Sequence, residues 1–530
     1  MKASVPKVSA DNLQPSNLRQ QIPPYDTVYY FNQLIDHNQP SLGTFRQRYW
    51  HTWEFYRPGG PIILNTPGEV NAAGYEGYLT NRTVNGLIAQ QEGAAVVVLE
   101  HRFYGYSNPY PDLSSNSFRV HTIDQAIHDF VYFAENVVLP MPGGDAVTPA
   151  TNPWILTGGS YPGALAGWTM LRKPGVFFAG YSSSGVVHAI ENYWRYFSPI
   201  LTHMPSACAA DVQAAITLID KTLLSKNNTA IANLKDSFGL GELAHSGDFA
   251  GALRNNLWDW QRLQPSSGSN TQFSEFCDSV RWGAVPNAPA DGVRALAAWA
   301  AYFKDVYLLN LCGGIDAESC LGTYDPTQPY WTDTSTDNAW RSWFWIVCNE
   351  LGFYQSAAPQ NMATLVSRLL KPVYDERQCI LMFPDAFKTP PKPRISSTNN
   401  RYQGWKIKVN RLFSTNGARD PWKDATLSAE GVKVQSTPSQ PIILNNGFHC
   451  SDMQTVHGAL DSSIAAVHRQ ALTSMHEWLS AYVPPEAAYR RQSAIAPPNS
   501  FGPGSDNPEC DADMPPERVT KPINAWIKGF

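Results

Sequence analysis

The 530-residue chain has no run of about 18 uninterrupted apolar residues, which argues against a helix that crosses a membrane. Charge is sparse at 16%, and the balance of −5 leaves no basic stripe, so nucleic acid is not an expected partner. There is no C-x-x-C pair and no cysteine–histidine cluster at zinc-ligand spacing, so neither a metal nor a cofactor is expected. The first 25 residues are polar and lack the apolar stretch of a signal peptide, so any such segment is expected to be already gone or never included. Internal repeats are absent too. What the chain does have is apolar bulk: 43% of it is hydrophobic, with 17 Trp, 24 Tyr and 23 Phe. That supports a large core and apolar clefts, and the length suggests two to four domains.

Cysteine usage points to the compartment. Six of the eight cysteines fall in the middle of the chain. Cys312 and Cys320, eight residues apart, are expected to pair, as are Cys348 and Cys379, which leaves Cys208 for Cys277. Cys450 is expected to be free or tied to Cys510. Asn81 and Asn227 each open a glycosylation triplet. Together these favour an oxidising, secretory environment.

Two continuous apolar runs, Pro61 to Asn65 and Ala94 to Glu100, read as buried parallel strands, with a helix from Thr122 to Val137 after them. An entry hairpin is expected between Tyr29 and Tyr56, behind a loose arm at 1–28. A third strand, Trp154–Leu156, runs into Gly158-Gly159-Ser160-Tyr161-Pro162-Gly163 and a small-residue helix start. From about 191 to 395 helical stretches alternate with loops, which reads as a mostly helical domain inserted into the sheet. Strands resume at Ile407–Ser414 and Pro441–Asn445, and a helix from Ser462 to Tyr482 closes the 396–483 segment before a proline-rich tail at 484–530. The expected class is α/β, an α/β-hydrolase fold whose first part covers 29–190.

A serine on a glycine-lined strand-to-helix corner stands exposed at the strand's C-terminal end, as in the nucleophile elbow. Pro162 stands where that motif has its second glycine; its fixed φ suits a first helical turn. Asp420 and His449 each follow a later expected strand, in the order nucleophile, acid, base. The 29 residues from acid to base hold one helix and one strand, whereas the 260 from serine to acid need the inserted domain. In this reading Ser160 attacks a carbonyl, His449 moves the proton and Asp420 orients the imidazole. The Tyr161 N–H is one expected oxyanion donor. The Gly68–Glu69 loop is the expected second, with the Tyr104 hydroxyl as its rival. The Glu100–Gly105 stretch is equally readable as a buried structural turn.

Gly158–Tyr161, Asn416–Trp422 and Gly447–Asp452 resemble the serine peptidases of the lysosomal Pro-Xaa carboxypeptidase and dipeptidyl peptidase II family. So do Gln33–His37, Thr44–Trp50 and Glu100–Gly105, while Thr66–Val70 with Gly74–Asn81 is most similar to the secreted fungal acid prolyl endoproteases. The resemblance covers roughly 29–482 and implies a secreted, acid-active peptidase that cuts after proline, an acidic vacuole or lysosome-like compartment being the alternative location. Its partners would be proline-containing peptides or proteins; monomer or dimer is left open. Glu69, Tyr104, Trp422 and Phe448 are candidate substrate-binding residues, Trp422 and Phe448 as walls for a proline ring and Glu69 as a holder for a substrate ammonium. No cationic clamp for a terminal carboxylate is evident, so internal cleavage is expected ahead of an exopeptidase. An esterase on the same fold lacks a lid helix or H-G-G-G loop to support it, and an inactive binding module would not be expected to keep all three of Ser160, Asp420 and His449.

Overall fold

A computed structural model of the chain describes residues 5–11, 13–15, 22–285 and 289–484. Its centre is an eight-stranded sheet built from β1 (Val28–Leu34), β2 (Thr44–Thr52), β3 (Ile62–Asn65), β4 (Ala95–Leu99), β5 (Trp154–Gly159), β6 (Ala179–Ser183), β9 (Leu412–Gly417) and β10 (Ile442–Asn445). Two short strands in the insertion, β7 (Ile190–Asn192) and β8 (Gly352–Tyr354), pair separately. The strand order is β1-β2-β4-β3-β5-β6-β9-β10. β1 and β2 form the antiparallel hairpin and β2 pairs antiparallel with β4, while every pair from β4 through β10 is parallel. Helix α1 (Val84–Glu92) links β3 to β4, α2 (Ile123–Asn136) lies between β4 and β5, and α3 (Tyr161–Arg172) links β5 to β6. This is the α/β-hydrolase fold.

β3 and β4 carry apolar residues almost without interruption because both faces of the sheet are covered there. Side chains alternate across a sheet, so neighbouring residues enter different cores. Ile62, Leu64, Val97 and Leu99 pack with α2, α3 and the helical insertion, whereas Ile63, Val96, Val98 and Ile155 pack with α1 and the helix Ser462–Ser480. The insertion leaves after β6 and returns before β9, two strands that are neighbours in the sheet. It carries the three disulfides found among the described residues, Cys208–Cys277, Cys312–Cys320 and Cys348–Cys379, the pairs expected. Cys450 is buried and unpaired among the described residues; Cys510 and most of the tail lie outside them. No helix among the described residues is long and apolar enough to cross a membrane.

Two local expectations change, and one strand goes unannounced by the sequence. The N-terminal segment is not loose where described: Val5, Val8 and Tyr25 are buried against the second core, and the Tyr78 hydroxyl donates to the Pro6 carbonyl. The strand expected at Ile407–Ser414 begins only at Leu412. Ile407 is buried instead by packing on α3, where Gly167 leaves it room. β6 reads Ala-Gly-Tyr-Ser-Ser and carries no β-branched run to announce it, yet it is a central strand; at Gly180 even a Cβ would come within 2.4 Å of the Met170 sulfur.

The Glu100–Gly105 stretch is largely a brace. Arg48 donates from Nε and Nη2 to the Glu100 carboxylate at 2.9 and 2.5 Å, and Glu100 also accepts from Ala72 N–H and Ser107 Oγ. Arg102 grips Asp129 in the same two-pronged way, and His37 shares that carboxylate at 2.8 Å. Arg48, Glu100, Arg102 and Asp129 are all buried, so each charge depends on its partner. Asp129→Ala strands the Arg102 guanidinium and is expected to cost about 3–5 kcal/mol, read as a fall in the urea midpoint. A midpoint close to that of the wild type would show that the pair does not brace the hairpin.

Candidate active site

Ser160 sits between β5 and α3 with φ 65° and ψ −129°, a backbone conformation that side-chain-bearing residues rarely adopt. The corner is held from outside: the Ser160 N–H donates to the Ser183 carbonyl at the end of β6, 2.8 Å away. Pro162, the departure from the glycine pattern, is accommodated by a glycine elsewhere. Gly68, at φ +79°, lies against the proline ring so closely that a Cβ would sit 2.2 Å from Pro162 Cγ. The elbow and the loop after β3 are therefore fitted to one another.

The fold brings Ser160, His449 and Asp420 into one hydrogen-bonded chain. Ser160 Oγ is 2.7 Å from His449 Nε2, and His449 Nδ1 is 2.9 Å from both Asp420 oxygens. Asp420 Oδ1 also accepts from the Trp422 N–H at 2.8 Å. Asp420 follows β9 and His449 follows β10, so all three lie at the C-terminal edge of the parallel sheet. A hydroxyl, an imidazole and a carboxylate so linked can make a nucleophile of the serine and return its proton to a leaving group.

All three are buried. Burial pulls the His449 imidazole down, but the Asp420 carboxylate more than reverses this, and His449 stands well above its ordinary value of 6.5. Burial pushes the adjacent Cys450 thiol up, so Asp420 supplies the charge. Arg419 lies over the Phe448 ring, 5.4 Å from its centroid.

Tyr161 is the first residue of α3, where a backbone N–H has no carbonyl one turn earlier in the helix to meet. Its buried ring touches Trp343, and its hydroxyl is 3.4 Å from His101 Nε2. The Gly68 N–H faces Thr66 Oγ1 at 3.3 Å, so it is already engaged. Tyr104 is fully buried, packs edge-on to His101, and its hydroxyl has no hydrogen-bond partner among the described residues. Glu69 is fully buried; burial first, and then its charge, push up the hydroxyls of Tyr104 and Tyr75. Trp422 is buried among Tyr193, Tyr196 and Phe353, with its ring 6.4 Å from that of His449, while Phe448 packs on Trp260. Asn81 and Asn227 are exposed; Asn227 also caps a helix through Ala230 N–H.

The insertion contributes aromatic residues, of which the sequence singles out Trp340, Trp343 and Tyr354 as candidate walls for a proline ring. A cavity of about 80 Å³ is lined by Trp258, Trp340, Trp343, Phe353 and Arg254 among others. Trp343 touches Tyr161 and Phe353 touches Trp422, so the cavity backs directly onto the site. Arg254 spends its Nη atoms on Asp375 and the Gln355 carbonyl. Trp258, Phe353 and Arg254 carried no signal, because each acquires its place only through contacts distant in sequence.

A raised folded-state value means that charged His449 contributes stability fully present below about 6.5 and lost as pH rises through the folded value. Asp420→Asn removes the opposing charge and leaves burial, so the ring should then titrate below 6.5. An NMR titration of His449 in both proteins checks this; a wild-type value under 6.5 contradicts it.

The sequence profile of the serine carboxypeptidase S28 family matches residues 33–472. The chain is 36% identical over 472 residues to the serine protease vicPb of Bipolaris victoriae (strain FI3), covering 83% of this chain and 88% of that one. It is 30% identical over 476 residues to the "Probable extracellular serine carboxypeptidase" of Arthroderma benhamiae, with 83% and 65% covered. The human thymus-specific serine protease is 24% identical over 468 residues, with 85% and 86% covered.

Proposed function

Because the chain belongs to the serine carboxypeptidase S28 family and is a serine-type peptidase, we propose that it cleaves internal peptide bonds on the carboxyl side of proline, through an acyl-enzyme on Ser160. The observation that carries this reading is the hydrogen-bonded chain from Ser160 through His449 to Asp420 at the sheet's C-terminal edge. His449 takes the serine proton as the hydroxyl attacks, then gives it to the departing amine; a water repeats the cycle to release the acyl group. Proline is favoured because its compact, apolar ring suits the aromatic surroundings made by Trp422, Phe353 and Trp343 beside the chain. Three disulfides, and the word "extracellular" in the name of one relative, support secretion.

The exopeptidase reading has one residue in its favour, Arg254, a cation lining the cavity behind the site. With its Nη atoms already spent on Asp375 and Gln355, it is a poor clamp for a free carboxylate, so internal cleavage stays first. Acid activity is less well supported. A general base must be neutral, and His449 is held above its ordinary value, so kcat/KM falls as pH drops through that raised value.

For the second oxyanion donor the unpartnered Tyr104 hydroxyl is preferred to the engaged Gly68 N–H, beside the Tyr161 N–H as the first. Tyr104→Phe is expected to lower kcat roughly 10²–10³-fold with little change in KM; a full-rate variant returns the role to the Gly68–Glu69 loop. The main test is a proline-containing peptide panel with free and blocked ends, every cut assigned by mass spectrometry. Cleavage of doubly blocked peptides after proline is the expected result. Loss only of single C-terminal residues or of N-terminal dipeptides from unblocked peptides would overturn it.

A further inference from the structure

A short stretch of the helical insertion reaches across to both loops that carry Asp420 and His449. The helix Ser246–Trp258 ends in a tight turn, Asp259–Arg262, and the chain continues to Gln264. Trp260 Nε1 donates to the Arg419 carbonyl, 2.8 Å away and one residue before Asp420. Gln261 Oε1 accepts from the Trp422 indole at 2.7 Å and from the Tyr196 hydroxyl at 3.0 Å. Gln264 Nε2 donates to the His449 carbonyl at 3.0 Å, and its Oε1 accepts from Ser451 Oγ at 2.7 Å. Ser451 Oγ in turn accepts from the Phe448 N–H at 2.8 Å.

One amide thus closes a ring around the four residues Phe448 to Ser451. That turn needs outside support, since Cys450 holds φ 54° without being glycine. Within five residues, the insertion fixes the main chain on both sides of the Asp420–His449 contact. We propose that the Trp260–Gln264 segment is the positioning element of the active site, holding the acid and base loops in register with Gln264 as its principal residue. The segment touches none of the reacting atoms; it acts through the carbonyls of Arg419 and His449. Reaction rate is sensitive to such placement, because a shift of about 1 Å in a catalytic group can cost on the order of 100-fold.

The inference rests on Ser160, His449 and Asp420 being the reacting set, and the test separates the two. Gln264→Ala removes both contacts to the base loop. Trp260→Phe keeps an aromatic ring against Phe448 and Phe273 and removes the N–H to Arg419 together with part of the indole. Each is compared with wild type for kcat, KM, thermal midpoint and the rate of Ser160 labelling by a fluorophosphonate. Both variants should lose roughly 10-fold or more in kcat and in labelling rate, while KM and the thermal midpoint stay near wild type. Wild-type kcat and labelling, or a change confined to KM or to the midpoint, would overturn the positioning role. Activity that survives Ser160→Ala would overturn the reading of the site beneath it.

Discussion

The structure depends on keeping one imidazole and one carboxylate in contact where water cannot reach them. Burial alone would leave His449 neutral and unattached, and Asp420 alone would be a costly buried charge. Set 2.9 Å apart they satisfy each other, and the imidazole's other nitrogen is turned to Ser160. That contact must be maintained between loops from β9 and β10, 29 residues apart, and a corner at the end of β5 that lies 260 residues before the first of them. The parallel sheet supplies the common edge. The elbow, the Gly68 loop and the insertion supply the close fit.

That fit explains features that look unrelated along the chain. Pro162 at the elbow needs the missing side chain of Gly68, and the Ser160 amide needs the β6 carbonyl of Ser183. The insertion is more than a cover: its disulfides tie its own loops, while its indole and amide groups grip the loops that carry Asp420 and His449. Just past β4, the Arg48–Glu100 pair and Arg102, which holds Asp129 and donates to the Leu34 and Ile35 carbonyls, fasten the β1–β2 hairpin to the rest of the sheet.

Much of this was legible in the sequence because some signals are local. β3 and β4 are continuous apolar runs, Ser160 stands in a glycine-lined corner, and Asp420 and His449 follow strands in a meaningful order. The disulfide pairs could be read from separation along the chain. β6 was not legible, because its residues are chosen for small size between α3 and β9 rather than for β propensity. The start of β9 was misplaced because Ile407 and Val409 are apolar for reasons of packing, not of pairing. Gln264 gave no sign at all: a glutamine in a loop acquires its meaning from a carbonyl 185 positions away.

The central claim is that Ser160 becomes covalently acylated, and trapping that intermediate tests it most directly. The enzyme is quenched with acid during turnover of a blocked proline ester, digested and analysed by mass spectrometry. The account predicts an acyl group on the peptide that contains Ser160, gained and lost at rates consistent with kcat. An acyl group on another residue, or steady turnover with no adduct at Ser160 and undiminished by Ser160→Ala, would contradict it.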